Sequence, residues 1–147
     1  MKIDDTNIDI IRELKQGKKS FKKIADKLAI TENTVRSRVN MLQEEGVLEI
    51  CGLVDPATLP GHRAVIIGIK LTEMNLVEKG EEISKLKGVI SVCVVTGRYD
   101  LLVLVLFKKG FGLLEFYTEE IAQIKGIRSV ETFVIYKSYN LKVPYIF

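Results

Sequence analysis

Residues 21–42, FKKIADKLAITENTVRSRVNML, carry two apolar periodicities of helical spacing with room between them only for a tight turn. Phe21, Ile24, Ala25 and Leu28 recur at i, i+3, i+4 and i+7, so they share one face of a first helix. Val35, Val39 and Leu42 do the same for a second. Between the two, Thr31 is placed to cap the second helix, with Glu32 in its first turn. Ile30 and Val35 have the spacing of a hydrophobic staple, which fixes the angle at which the chain enters. A helix, a short turn and a second helix with a polar outer face is the layout of a helix-turn-helix that offers its second helix to double-stranded DNA.

Charge follows the same segment. Residues 12–38 hold nine basic side chains (Arg12, Lys15, Lys18, Lys19, Lys22, Lys23, Lys27, Arg36 and Arg38) against Glu13, Asp26 and Glu32. Residues 1–62 as a whole are neutral, so the positive charge is a patch over the helix-turn-helix, as a phosphate-binding footprint requires. With the core direction set by Val35, Val39 and Leu42, the side chains of Asn33, Ser37, Asn40 and Glu44 point most nearly away from it. Arg36 and Thr34 flank that outer face. Asn can bond adenine in a bidentate way and Arg can do so to guanine. The expected base readers are therefore Asn33, Arg36, Ser37 and Asn40, with Lys22, Lys23 and Arg38 on phosphates and Thr31 and Thr34 completing the interface. The bland alternative is a solvated polar face.

The flanking segments complete a winged helix-turn-helix domain over 1–50. An opening helix spans about Thr6 to Gln16 with Ile8, Ile11 and Leu14 inward, and Ser20 caps the next helix. Gly46 stops the last helix, and Val47-Leu48-Glu49-Ile50 reads as a short wing strand. Residues 51–63, with Asp55-Pro56 and Leu59-Pro60-Gly61, form a linker, on which His62 is expected in a solvent-exposed loop.

The remainder, 64–147, has a different rhythm. Strands at Ala64–Leu71, Val89–Thr96, Leu101–Phe107 and Ile127–Tyr136 alternate with helices at Leu76–Leu86 (Val77, Ile83 and Leu86 inward) and Phe111–Ile124. This βαββαβ order is the ferredoxin-like plait, which makes the whole chain an α+β protein. A plait covers one sheet face with helices and leaves the other bare, yet Leu101–Phe107 shows no polar alternation. The bare face is apolar and needs a cover; within the chain only the C-terminal tail is available, and a second copy in a homodimer is the expected one.

Nothing in the chain assembles catalytic chemistry. His62 is the only histidine, Cys51 and Cys93 are far apart, and neither a metal-ligand cluster nor a phosphate loop is present. No catalytic residue, metal or cofactor is expected. The longest apolar run is seven residues, too short to span a bilayer, and no apolar signal core follows the N-terminus; the expected location is the cytoplasm. The turn Thr96-Gly97-Arg98-Tyr99-Asp100 reads either as a plain hairpin turn or as a ligand site on a loop.

Several stretches together give the chain a family likeness. These are Ile3-Asp4, Asp9-Ile10-Ile11 and Leu14; Ile24-Ala25-Asp26-Lys27-Leu28-Ala29-Ile30-Thr31; Thr34-Val35-Arg36-Ser37-Arg38-Val39 and Leu42; and Glu45-Gly46-Val47-Leu48. In the second half they are Val95-Thr96-Gly97-Arg98-Tyr99-Asp100-Leu101-Leu102 and Gly126-Ile127 with Glu131-Thr132-Phe133-Val134. In this order they resemble the Lrp/AsnC family of feast/famine transcription regulators, over essentially the whole length. The resemblance implies a regulator whose dimers assemble further, commonly to octamers. It also implies an amino acid or related small molecule as effector, bound by the plait at Gly97, Arg98, Tyr99 and Asp100 together with Thr132, Phe133 and Val134. Asp100 would pair with an ammonium, and backbone N–H groups near Gly97 would receive a carboxylate. The chain departs from many relatives in carrying Val130 where they have a second Thr, and in the extra cation of Arg98. Other functions on this architecture are a sirohaem decarboxylase, which would need more histidines, and a DNA-architectural protein without effector.

Overall fold

The computed structural model describes residues 3–15, 17 and 19–147. Gln16, the expected end of the first helix, and Lys18 of the basic cluster lie outside the described residues. By internal packing the chain divides into two units, one up to Cys51 and one from Gly52 to Phe147.

The first unit is α1 (Asp5–Leu14), α2 (Phe21–Leu28) and α3 (Glu32–Glu44). Each helix starts on a side-chain cap: Asp4 accepts from the Asn7 N–H at 2.9 Å, Ser20 from Lys23 at 3.3 Å and Thr31 from Thr34 at 3.1 Å. Ile10, Ile24, Ala25, Val35 and Val39 form the core, with Leu14, Phe21, Leu28, Ile30 and Leu48 packed around it. The inner face of α1 differs from expectation: Ile8 is exposed, and Asn7, Ile10 and Glu13 are buried. Two of those three are polar because Arg38 and two lysines come in to meet them. The turn between α2 and α3 passes through Ala29 at φ +53°, ψ +42°, a left-handed conformation that costs a residue with a Cβ. After α3, the expected wing strand at Val47–Ile50 is not formed; the N–H groups of Val47 and Leu48 turn back onto the Leu42 carbonyl.

In the second unit β1 (Leu53–Val54) precedes β2 (Arg63–Leu71), α4 (Leu76–Ser84), β3 (Val89–Val94) and β4 (Leu101–Phe107). Then come α5 (Leu113–Glu115), which continues as a π-helical turn over Phe116–Glu120 and a 3-10 turn over Ile121–Gln123, β5 (Ile127–Val134) and β6 (Val143–Pro144). The main sheet is antiparallel in the order β3-β4-β2-β5, as a plait requires, while β1 and β6 pair apart from it. Leu53 sits opposite Pro144, and Asp55 holds Lys142 at 3.1 Å beside that pairing. Both flanking strands and both helices are thus shorter than expected, and Val77 on α4 points to solvent while Gly80 and Ile83 face the sheet. Among the described residues no helix is long and apolar enough to cross a membrane.

One sheet face carries Val65, Ile67, Ile69, Leu101, Val103 and Val105 against Ile83, Phe111, Phe116 and Ile121. The other carries Ile66, Leu102, Leu104 and Phe133, and it is only partly shielded by the chain after β5, where Tyr139 and Leu141 border an apolar groove. Ile66 and Phe133 stay 36% and 40% exposed, so this face still needs a cover. His62 is not the exposed loop residue expected: its ring lies 5.6 Å from that of Tyr145, and its Nε2 is buried.

Candidate nucleic-acid interface and ligand-domain turn

The 3.6-residue repeat of α3 puts Asn33, Arg36, Ser37 and Asn40 on one side, where together with Met41 and Glu44 they line a shallow surface groove. These are the four residues expected to read bases. Arg36 is pre-positioned there: its guanidinium holds Glu32 at 2.9 Å, one turn back, and lies 5.2 Å over the Phe21 ring. Thr31 and Thr34 are occupied with each other, hydroxyl to hydroxyl at 2.8 Å, as part of the helix cap.

The basic cluster is thinner in three dimensions than along the chain. Arg38, expected on a phosphate, donates instead to both carboxylate oxygens of Asp4 at 2.7 Å and to Asn7 Oδ1 at 2.8 Å, pinning α3 to the start of α1. The Arg38 hydrogen bond, and after it the Asn7 N–H, holds the Asp4 carboxyl below the usual carboxylate range. Lys19 and Lys27 converge on Glu13, and they lower its pKa in that order. Lys22 and Lys23 are exposed at the first turn of α2 and have no ion-pair partner among the described residues, which leaves them free for a phosphate.

In the second unit Gly97 makes its turn at φ +121° with open space around it. Tyr99 lies flat on the bare backbone of Gly68 in β2, where a Cβ would stand 2.7 Å from the ring. The Tyr99 hydroxyl donates to Glu131 and its ring meets Phe133 edge-on at 5.7 Å. The Glu131 contact, then burial, raises the Tyr99 pKa. Arg98 pairs with Glu131 at 3.2 Å. Asp100 is engaged within the chain: Lys70 donates to one carboxylate oxygen at 2.7 Å and the Leu71 N–H to the other at 2.8 Å, which together lower its pKa.

Of the turn residues, Arg98 and Tyr99 therefore meet Glu131 and Phe133 on the bare face of the sheet, with Asp100 beside them on Lys70. Thr132 and Val134 do not join them. Thr132 points to the helix face and hydrogen-bonds Tyr117 at 2.7 Å, and Val134 pairs opposite Val65, well along the strand from the turn. Glu131, Lys70 and Gly68 are the residues that sequence reasoning missed at this site. A glycine inside an apolar strand was the available signal, since it marks a close approach by another group.

Both units of the chain match known proteins. Residues 3–49 match the winged helix-turn-helix DNA-binding family model, and residues 64–143 match the Lrp/AsnC ligand binding domain. An uncharacterized HTH-type transcriptional regulator of Pyrococcus abyssi is 31% identical over 137 residues, covering 92% of this chain and 87% of the relative. The HTH-type transcriptional regulator LrpA of Pyrococcus horikoshii is 27% identical over 130 residues, 87% of this chain and 92% of its own. Among solved structures, Escherichia coli AsnC superposes with a TM-score of 0.71 at 20% identity, covering 96% of this chain and 97% of that one. A Neisseria meningitidis transcriptional regulator solved as a complex with L-Met does so with a TM-score of 0.71 at 17% identity, covering 95% and 94%. With both of its units matched in sequence and in fold, the chain belongs to the Lrp/AsnC family of transcriptional regulators.

Proposed function

We propose that this transcriptional regulator reads bases in the major groove with Asn33, Arg36, Ser37 and Asn40 and takes its nonspecific affinity from Lys22 and Lys23. The observation that carries the reading is the groove on α3, which gathers two bidentate amides, a guanidinium and a hydroxyl on one outward side. Arg38 is assigned to holding α3 in place. The chain is not an enzyme in this reading and works in the cytoplasm, with residues 1–50 as the reading head and 64–147 as the oligomerisation and effector domain. Arg36→Ala should cost about 1–3 kcal/mol on a matched operator and relax its sequence preference. Lys22→Ala and Lys23→Ala should weaken matched and scrambled duplexes alike, each reducing the salt slope by about one. Fluorescence anisotropy across a salt series separates the two patterns, and identical behaviour of all three variants would sink the assignment.

The ligand domain takes an amino acid or related small molecule at the Gly97–Asp100 turn, a reading supported by the domain match and by the L-Met complex of the Neisseria relative. With Asp100 held by Lys70 and the Leu71 N–H, the ammonium goes to Glu131, whose Oε2 takes the Tyr99 hydroxyl and Arg98 and whose other carboxylate oxygen faces no partner among the described residues, while Asp100 shapes the turn. Two copies cover each other's bare sheet face, and dimers assemble further. Thermal melting against the twenty amino acids, with light scattering on any hit, tests both. A ligand at 100 times its dissociation constant stabilises by about 2.7 kcal/mol. No stabilisation by any of them would leave a DNA-binding assembly without an amino-acid effector.

A further inference from the structure

The end of the sheet away from the Gly97–Asp100 turn holds a second concavity. The strand register sets Arg63 opposite Phe107 at this end and Ile69 opposite Leu101 at the other, six residues along β2. That is a separation of about 20 Å from the turn, and of the residues expected at the effector only Val134 lines this concavity. The concavity measures about 470 Å³, and its lining includes His62, Arg63, Phe107, Lys108 and Leu113.

Its charge is one-sided. Arg63 and Lys108 take part in no ion pair among the described residues; the Lys108 ammonium lies 4.5 Å over the Phe147 ring. Lys109 adds a third cation in the adjoining turn, beside Gly61. The carboxylate in the first turn of α5, Glu115, is turned onto the Gly112 N–H at 2.8 Å. His62 supplies a different chemistry. Its Nδ1 lies 2.9 Å from the Pro60 carbonyl oxygen, which can only accept, so in the neutral ring the proton sits on Nδ1 and Nε2 offers a lone pair. That Nε2 is buried and has no hydrogen-bond partner among the described residues, a condition that asks for a donor.

We propose that this concavity is a ligand site for a small phosphate that still carries a P–OH or an adjacent hydroxyl. The Arg63 guanidinium and the Lys108 ammonium take the anionic oxygens, and, as ligand entry uncovers His62 Nε2, the ligand's hydroxyl donates to it. A phosphate monoester, with its second pKa near 6, keeps such a proton on about half of its molecules at that pH and on most of them below it. A DNA phosphodiester has none and would leave Nε2 unpartnered. The proposal is independent of the effector reading at the turn.

Because His62 is the only histidine in the chain, its imidazole gives one assignable pair of nitrogen signals. The full-length protein, labelled with nitrogen-15, is titrated with inorganic phosphate at fixed pH and ionic strength, with sulfate as the proton-free comparison. A saturable shift of the Nε2 signal is expected, weaker with sulfate. Its apparent affinity should fall at least tenfold in Arg63→Gln and in Lys108→Gln, both melting like the parent without phosphate. An unsaturable shift, or one that survives both substitutions, overturns the site. So does a shift produced by a DNA duplex and not by phosphate, which would make this end of the plait a backbone contact.

Discussion

Gly68→Ala isolates the packing that shapes the ligand-domain turn. Gly68 sits in the middle of β2, and a Cβ there would stand 2.7–2.8 Å from three atoms of the Tyr99 ring, including Cγ at its root. The ring cannot swing aside cheaply, because Glu131 holds its hydroxyl and Phe133 lies against its edge. Forcing a methyl into such a contact costs about 1–3 kcal/mol. In a Tyr99→Ala background the obstacle is gone, and alanine should then be better than glycine by about 0.5–1 kcal/mol at a strand position. The sign of the Gly68→Ala effect should therefore reverse between the two backgrounds, a coupling of at least about 1.5 kcal/mol. Urea unfolding of the four proteins at one fixed protein concentration measures it, the concentration mattering because association adds to apparent stability. An equal cost in both backgrounds would refute the idea that Gly68 exists to seat Tyr99.

Ala29→Gly should raise the melting temperature of the first unit. The left-handed φ of +53° costs alanine about 1–2 kcal/mol, against about 0.5–1 kcal/mol for the extra chain freedom of glycine. A lower melting temperature would show that the turn between α2 and α3 is not strained at this residue. Asp100 predicts an acid response. Its pKa is depressed in the folded state, so its contribution is present above the unfolded carboxylate value near 3.9 and is lost as the pH falls through the lower folded value. Asp100→Asn should therefore flatten the loss of stability below about pH 4, read by circular dichroism, and an unchanged acid limb would separate Asp100 from that response.

The parts of the fold that were legible in the chain are those where apolar side chains alone determine an element. Leu101–Phe107 is β4 to the residue, and Ile24, Ala25, Val35, Val39 and Leu42 are the buried positions their spacing implies. Reading failed where polar groups are buried by long-range partners. The inner face of α1 is Asn7, Ile10 and Glu13, and no local pattern announces that Arg38, Lys19 and Lys27 will reach across to two of them. The same blindness enlarged the basic patch, since the acids that neutralise Arg38, Lys19 and Lys27 come from α1 or just before it. At the turn, the family resemblance brings in Thr132, Phe133 and Val134 as a run. The two-residue period of a strand puts Phe133 beside Tyr99 and sends Thr132 to the opposite face.

The small β1–β6 pairing has a consequence for how far the reading head can range. Leu48 is packed in the first unit and Leu53 is already paired in the second, so only Glu49, Ile50, Cys51 and Gly52 remain as tether. A flexible chain spans about 5–6 Å times the square root of its length, which gives about 11 Å for four residues against about 20 Å for a thirteen-residue linker. A head on so short a tether would sample a volume roughly six-fold smaller than on the longer linker, with its local concentration raised in proportion. In a dimer of the proposed kind, the C-terminal residues that pair with β1 would thereby set how strongly capture of one half-site promotes capture of the next.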